Sequence, residues 1–379
     1  MTEHAKLSAS SAEKWLNCPG SVALEKLFPQ QDTEFTKEGS IAHKLAEIKI
    51  KRAFSQISNE KYYQQRNDME INDDMEKYTD EYVDFVTEKY RKALVYSSPF
   101  LELEKKLDFS KWVKDGFGTA DVVIVYNGHI EMIDLKYGQG VKVNAENNYQ
   151  LMLYALGALE EYDYLYDIKS VTMTIFQPRK DNISTFQMSS KELYQWGESI
   201  KPISETAYHE TGKCTSGDHC SKGFCRAIPV CHVLSEDLEG IEESLKNPNC
   251  LTNAEIAEIL QKVDLLAKRA KSIKEYALKQ ALKGEIFPGY KVVEGRKSRS
   301  FDLSEQQIQY LLLQHGYTDD VIYKKSIRTV ADYEKVIGEN FEEIFGSHIL
   351  VTRNPTLAPI EDKRPIFNSA ENDFKNIVL

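Results

Sequence analysis

Two apolar segments joined by Asn127-Gly128 constrain the fold of this chain more than any other feature. GTADVVIVY precedes this dipeptide and HIEMIDLKY follows it. Both segments have the length and the β-branched character of strands, and Asn-Gly is the strongest short-range signal for a two-residue hairpin turn. The sequence therefore predicts an antiparallel pair of strands at this point.

The segments around the hairpin predict an α/β core. LELEKKLDF, which begins at residue 101, alternates as a strand does, and residues 170–177 form another short apolar run. A helix is predicted between these strands from about residue 145 to 160. Two helices, at residues 39–54 and about 68–95, precede the core. The order strand, strand, strand, helix, strand indicates an α/β fold in which helices cover a sheet.

The length of the chain supports two domains. Its 379 residues can bury a large core and leave room for a smaller second unit. We predict a first domain over residues 1–235, which begins with a helix interrupted at Cys18-Pro19-Gly20, and a second over residues 236–379, which begins with a long helix at 252–283. No apolar run approaches the roughly 18 residues that span a bilayer, and the N-terminus has no apolar signal region. We therefore expect a cytoplasmic protein without a membrane partner.

The charge balance limits how the chain can bind nucleic acid. It contains 48 Lys and Arg residues against 59 Asp and Glu residues, a net charge of −11. Because neutralisation of phosphates supplies most sequence-independent affinity for nucleic acids, this balance argues against a broad basic surface. It remains compatible with a local positive groove around an acidic site, since a bound cation reverses the local field.

The hairpin brings two carboxylates together. If Asn127-Gly128 forms the turn, counting back along both strands places Asp121 opposite Asp134 on one face of the sheet. Like charges there require a hard divalent cation, and Mg²⁺ or Mn²⁺ suits oxygen ligands. Lys136, two residues beyond Asp134, shares that face and could stabilise charge developing on phosphorus. The three residues predict metal-assisted hydrolysis of a phosphodiester.

Two pairs of polar residues extend this candidate site. His43 and Glu47 are four residues apart on a helix and share one face, so His43 could bind the metal and Glu47 could support the histidine or the metal-bound water. Gln150 and Tyr154 repeat this spacing on the helix after the DLK strand, where they could bind a phosphate or position the lysine. Each also has an ordinary structural interpretation as a solvated or core-packed side chain.

Four short motifs occur in the order seen in RecB-type PD-(D/E)xK nucleases, which this sequence resembles. They are GxxxH at residues 39–43, GTAD at 118–121, DLK at 134–136 and QxxxY at 150–154. The resemblance is closest to a phage-encoded branch that shares DLKYGQGVKV, NYQLMLYALGAL and a terminal PTLxPxxDKRP. It covers nearly the whole chain.

The resemblance implies a restriction-endonuclease-like core and a metal-dependent deoxyribonuclease, either an exonuclease or a DNA-end-processing enzyme. Metal ligands would come from His43, Asp121, Asp134 and the main-chain carbonyl of Leu135. Lys136 would be catalytic, with Gln150 and Tyr154 near the site. The implied setting is phage recombination or replication in a bacterial host cell, with DNA ends or single strands as substrate. Single-strand-binding or recombination proteins would be partners, and a homo-oligomer stays open.

Cysteines form the second chemical feature of the sequence. Four of the six fall between Cys214 and Cys231, a clustering that in a cytosolic chain favours metal binding over disulfides. Related nucleases hold an iron-sulfur cluster with one N-terminal and three later cysteines, which implies Cys18, Cys220, Cys225 and Cys231 as ligands of a 4Fe-4S cluster. Zinc fits four thiolates equally well by ligand count. CSKGFC separates its cysteines by four residues where the family has two, so Cys214 is an alternative to Cys220.

Two other functions compete with the nuclease. The fold and its cluster could persist in a non-catalytic DNA-binding module, or the chain could be a zinc-stabilised adaptor for other replication proteins. The intact trio Asp121, Asp134 and Lys136 favours an enzyme over both. The short basic run Arg296, Lys297 and Arg299 is more typical of a solvated loop, and we assign it no role.

Overall fold

The computed structural model describes residues 5–28, 34–223, 225–236 and 253–290, with a few isolated positions beyond. The chain divides into two compact units, residues 1–293 and 294–379, and nearly all described residues belong to the first. The predicted division into domains after residue 235 stays a prediction. The basic run at residues 296–299 and the tail at residues 354–367 lie outside the described residues.

A five-stranded mixed sheet forms the centre of the first unit. The strands are β1 (Phe100–Asp108), β2 (Phe117–Tyr126), β3 (His129–Leu135), β4 (Ser170–Gln177) and β5 (Asn182–Ser189). They lie in the order β1-β2-β3-β4-β5, and only the β3–β4 pair is parallel. The α-helices considered below are α1 (Ala12–Asn17), α2 (Ser21–Glu25), α3 (Glu34–Ala53), α4 (Asn59–Asn67), α5 (Asp73–Leu94), α6 (Tyr149–Tyr166), α7 (Ser190–Tyr208), α8 (Asp218–Lys222) and α9 (Asn253–Ala281). The predicted α/β class is confirmed.

The β2–β3 hairpin has the predicted turn and register. Asn127 and Gly128 have φ values of 41° and 71°, both positive, as a type I′ turn requires. Tyr126 pairs with His129 on either side of the turn. This register fixes which residues of the two strands meet at the other end of the hairpin.

At that other end, β2 and β3 separate. Val122 and Ile133 are the last pair of their ladder. Beyond them β2 continues beside β1 alone, whereas β3 continues beside β4. Asp121 and Asp134 occupy the next position on each strand and so lie at the opening of this fork, as the counted register predicts.

Helices cover both faces of the sheet. Val123 and Met132 point into an apolar cluster with α6 and α7, whereas Val122 and Ile133 point into a second cluster with α3 and α5. Burial on both faces explains why β2 and β3 are almost continuously apolar instead of alternating. Within the described part of the chain, no helix has the length and apolar character needed to cross a bilayer.

The strand β5 and the helix α7 were not predicted, although one signal for them is local. Ser189 accepts a hydrogen bond from the Glu192 main chain, and the Glu192 side chain accepts one from the Ser189 main chain. This capping box starts α7 directly after β5, and its S-x-x-E pattern is visible in the sequence. The helices predicted at 39–54, 68–95, 145–160 and 252–283 are all present, with shifted ends.

Candidate active site

Asp121 is held at the fork by groups from two different elements. His43 Nδ1, on α3, lies 3.2 Å from Asp121 Oδ1, and the Leu135 main-chain N–H donates to Oδ2 at 2.7 Å. Leu135 can donate there because β3 has already left β2. Burial alone would raise the pKa of Asp121, but the His43 charge and these hydrogen bonds hold it below its usual value. Asp121 is therefore an ionised acceptor.

Asp134, which is buried, and Lys136, which is partly exposed, form an ion pair beside Asp121. Lys136 Nζ lies 2.8 Å from Asp134 Oδ2, and the Asp134 residue is only 4% exposed. Burial and the negative charge of Asp121 raise the pKa of Asp134 although Lys136 opposes them. Burial disfavours the charge on Lys136, yet Asp134 outweighs it and raises the lysine pKa. The structure thus brings together the three residues on which the predicted chemistry depends.

Gln150 connects this pair to α6. Its Oε1 accepts a hydrogen bond from Lys136 Nζ at 3.0 Å, while its Nε2 donates to Asp134 Oδ1 at 3.3 Å and to Tyr154 Oη at 3.2 Å. The Asn148 side chain caps α6 by accepting from the Leu151 main chain, which sets where the helix begins. The predicted positioning of Lys136 by Gln150 is therefore compatible with the observed hydrogen bonds.

Tyr154 also explains the glycine of the GTAD motif. A Cβ atom added to Gly118 would lie 2.5 Å from Tyr154 Cε1, a distance that no real contact tolerates. The Tyr154 residue is 6% exposed, and its burial raises its pKa above the ordinary range. Gly118 of the GTAD motif and Tyr154 of the QxxxY motif therefore pack directly against each other.

Glu47 forms its ion pairs within its own helix. Its carboxylate pairs with Lys44 Nζ at 2.6 Å and with Lys51 Nζ at 2.5 Å, both on its own helix α3. Burial would raise its pKa, but the two lysines lower it. Glu47 is therefore neutralised locally, and its predicted support of His43 is absent from the hydrogen bonds found among the described residues.

Glu104 joins the site from β1, although the sequence analysis did not single it out. Ligand atoms of His43, Glu104 and Asp121 all lie within 4.8 Å of one another. Burial and the Asp121 charge raise the pKa of Glu104 to about 7. Its position was not predictable from the sequence, because the segment between β1 and β2 is too long to fix their register as a tight turn does.

The backbone of β1 is distorted at this residue. Glu104 has a φ of 48°, and it stands opposite Asp121 between two regular pairs of the β1–β2 ladder. Leu103 packs toward α3 and α5, whereas Leu107 packs toward α6. The side chains of β1 therefore change faces around Glu104, although the register with β2 is the same on both sides.

A loop beside the site is held by one buried amide. Gln177, at the end of β4, is 2% exposed. Its Nε2 donates to the carbonyls of Gly138 and Val141 at 3.3 and 3.1 Å, and its Oε1 accepts from the Val143 main chain at 3.2 Å. The segment that follows Lys136 is therefore fixed to the sheet.

Five cysteines, which form the second chemical feature of the chain, face one cavity. They are Cys18, Cys214, Cys220, Cys225 and Cys231. Both alternatives of the predicted ligand set, with Cys214 or with Cys220, therefore reach the cavity. Cys250 lies outside the described residues.

The thiols differ in their surroundings. Burial would raise the pKa of Cys18, but His219 and Thr215 lower it, and the Thr215 main chain donates to Cys18 Sγ at 3.3 Å. Burial raises the pKa of Cys225 to about 12, and burial together with the other thiols raises that of Cys214 to about 11. Clustered thiols disfavour one another's ionisation, and a bound metal, which deprotonates the thiols that coordinate it, would offset that cost. The thiols therefore fit a metal-sulfur group.

Several contacts tie the N-terminal helices to this cysteine segment. Lys14 Nζ lies 2.7 Å from Glu25 Oε2, and Glu25 also accepts from the Arg226 main chain at 2.7 Å. Leu265 and Leu266 of α9 pack against the apolar side chains around Cys220. Both ends of the first unit therefore meet at the cavity.

Residues 4–365 match the family described as "Protein of unknown function (DUF2800)". The chain belongs to this family. The DUF2800 match extends over the sheet, the acidic fork and all five cavity cysteines. Both chemical features therefore lie within the family region.

A solved structure described as the crystal structure of SSO0001 is also similar to this DUF2800 chain. The two are 13% identical, and the match covers 62% of this chain and 89% of that one, with a TM-score of 0.28. A TM-score this low does not establish a common fold. The architecture of the DUF2800 chain therefore rests on its own sheet and helices.

Proposed function

We propose that this DUF2800 chain is a metal-dependent deoxyribonuclease with a RecB-like, restriction-endonuclease-like core, of the phage-encoded type. The observation that carries the proposal is the grouping of Asp121, Asp134 and Lys136 at the fork of β2 and β3. The hydrogen-bonded positions of His43 and Gln150 support it. Its substrate is DNA, as ends or single strands, in recombination or replication within a bacterial cytoplasm.

The donor set at the fork fits a hard divalent cation. Asp134 Oδ2 is buried and accepts no hydrogen bond among the described residues, although Lys136 supplies a counter-charge. Asp121, Asp134 and the Leu135 carbonyl offer oxygen ligands, and His43 offers an imidazole nitrogen. When bound, Mg²⁺ or Mn²⁺ would supply Lewis-acid stabilisation of the scissile phosphate.

Lys136 is the residue that acts on the reacting atoms. In hydrolysis a water oxygen bonds to phosphorus, the P–O bond to the leaving nucleotide breaks, and a proton passes from the water to the departing oxygen through solvent. The Lys136 ammonium orients the water and stabilises negative charge on the phosphoryl oxygens. Gln150 Oε1 holds Lys136 Nζ in place. Tyr154 in turn accepts from Gln150 and is a positioning residue.

The cysteine cavity would hold a 4Fe-4S cluster on Cys18, Cys220, Cys225 and Cys231. Cys214 is the alternative to Cys220, and zinc is the alternative metal. The convergence of these thiols in one buried pocket supports this part of the proposal. The group would stabilise the fold and would take no part in hydrolysis.

The test compares wild type with Lys136→Ala on labelled linear single-stranded and double-stranded DNA. Both proteins are purified anaerobically with measured metal content and incubated with Mg²⁺ or Mn²⁺. Lys169→Ala is the matched control, because its side chain is 72% exposed and lies near the hairpin turn. We expect wild type and the control to degrade DNA and Lys136→Ala to leave it intact.

Two other outcomes would count against a nuclease. Intact DNA with correctly loaded wild type would contradict the proposal for these substrates. If the same protein bound DNA without cutting it, the function of a non-catalytic DNA-binding or adaptor protein would replace the nuclease proposal. Equal degradation by Lys136→Ala would remove the lysine from the mechanism.

A further inference from the structure

Glu104, which is partly exposed, differs in its contacts from the buried glutamates of this fold. Glu25 pairs with Lys14, Glu131 pairs with Lys89, and Glu47 pairs with two lysines of its own helix. Within the described ranges, the Glu104 carboxylate has neither a hydrogen bond nor an ion pair. It faces Asp121, a second negative charge, so its position costs free energy in the absence of a cation.

The neighbours of Glu104 are those of a metal site. His43 and Asp121 each offer one ligand atom, and the three atoms lie within 4.8 Å of one another. An imidazole and two carboxylates suit Mn²⁺ and related divalent ions. Acidic groups alone do not define a site, but this trio includes the histidine, and the Asp121 side chain is only 14% exposed.

A second observation at the fork also indicates a missing ligand. Asp134 is 96% buried, and its Oδ2 accepts no hydrogen bond in the part of the chain that the structure describes. Lys136 Nζ lies 2.8 Å away as its counter-charge. Asp121 Oδ2 accepts a hydrogen bond at 2.7 Å from the main chain of Leu135, the residue after Asp134, so the two carboxylates are neighbours at the fork.

We propose that Glu104 is a further ligand of the divalent cation at the fork, which it would bind together with His43 and Asp121. The Glu104 role in the reaction rests on the proposed nuclease function, whereas cation binding is measured without DNA. Strand β1 would then contribute to the site a residue that none of the four motifs contains. Its positive φ at Glu104 is the local conformation that brings the carboxylate there.

The experiment measures Mn²⁺ binding by the whole, cluster-loaded chain, from the electron paramagnetic resonance signal of free Mn²⁺. The variants are Glu104→Gln and the control Glu102→Gln on the same strand, whose carboxylate lies 3.8 Å from Lys105. We expect Glu104→Gln to weaken binding by on the order of tenfold or more, because ligand charge sets affinity. Glu102→Gln should bind as wild type does.

Thermal unfolding provides a readout that a merely structural role would not give. Removing an unpaired acid beside Asp121 should raise the unfolding temperature of the metal-free protein, because like-charge repulsion is relieved. The same Glu104→Gln change should reduce the rise that Mn²⁺ produces, since a ligand that binds only the folded state stabilises it. A structural glutamate would lower stability with and without Mn²⁺.

Wild-type affinity of Glu104→Gln for Mn²⁺ would overturn the ligand role. An equal loss of binding in Glu102→Gln would also overturn it, because the effect would then follow from the removal of any negative charge on β1. Neither result depends on DNA cleavage, so a failure of the nuclease proposal remains distinguishable. If Glu104→Gln fails to fold, Glu104→Asp, which keeps the charge on a shorter side chain, is measured in the same way.

Discussion

Gln150 is the residue through which α6 controls the geometry of the fork. One amide group accepts from Lys136 and donates to both Asp134 and Tyr154. Hydrogen bonds to charged groups contribute about 1.5–3 kcal/mol each, more than bonds between neutral groups. Losing the amide should therefore release Lys136 from its position while leaving its charge unchanged.

We expect Gln150→Leu, which keeps a similar volume, to slow DNA cleavage by about 10–100-fold. Tyr154→Phe removes only the acceptor of one neutral hydrogen bond and should slow it by less than about threefold. Single-turnover cleavage under saturating Mg²⁺ measures both, with thermal unfolding as the check on folding. Equal effects of the two variants would mean that the contacts to Lys136 and Asp134 are unimportant.

Residue patterns found part of the site because some contacts are local in sequence. A four-residue spacing sufficed to put Gln150 and Tyr154 together on α6. On α3 the same spacing put Glu47 on the face of His43. Glu47 still pairs with Lys44 and Lys51, because lysines one turn away on the same helix are closer competitors. A helical spacing predicts a shared face, but it does not predict which partner wins.

At the scale of elements, turn chemistry was the most informative feature of the sequence. The Asn-Gly turn fixed the β2–β3 register and hence the meeting of two acids. No comparable turn joins β1 to β2, so the position of Glu104 opposite Asp121 was not predictable. The strand β5 was missed because its residues alternate weakly between polar and apolar, with none fully buried.

The turn itself gives a prediction about stability. Gly128 has a φ of 71°, and a Cβ atom there would lie 3.1 Å from the Asp167 carbonyl oxygen. We expect Gly128→Ala to lower the free energy of unfolding by about 1–2 kcal/mol, because a left-handed conformation costs this much in an L-residue with a side chain. Urea denaturation measures the change.

Asn127→Gly is the matched control, since its φ of 41° suits glycine and the change should be nearly neutral. DNA cleavage by both variants should match wild type, because the turn lies at the end of the hairpin away from the fork. A Gly128→Ala protein as stable as wild type would show that the turn can relax.

At the scale of the whole molecule, the cysteine cavity joins distant parts of the chain. Cys18 follows α1, and Cys220 lies 202 positions later on α8. A group bound to both would close a long loop and so restrict the unfolded chain. Ion pairs of Glu25 with Lys14 and with Arg226 also connect these segments. The sequence predicted the clustering of thiols, but not that the fifth, Cys214, also faces the cavity.

Cys18→Ser should therefore leave a folded chain that has lost its metal-sulfur group. We expect iron and sulfide content to fall and the unfolding temperature to drop by on the order of 5–10 °C, because the bound group stabilises only the folded state. Cys214→Ser is the control. It should keep the metal content and the unfolding temperature of wild type, since Cys214 lies outside the implied set of ligands. Metal analysis, visible absorbance and thermal unfolding under anaerobic conditions measure this. Full metal content in Cys18→Ser would mean that Cys18 is not a ligand. Loss of the metal in Cys214→Ser together with its retention in Cys220→Ser would make Cys214 the ligand in place of Cys220.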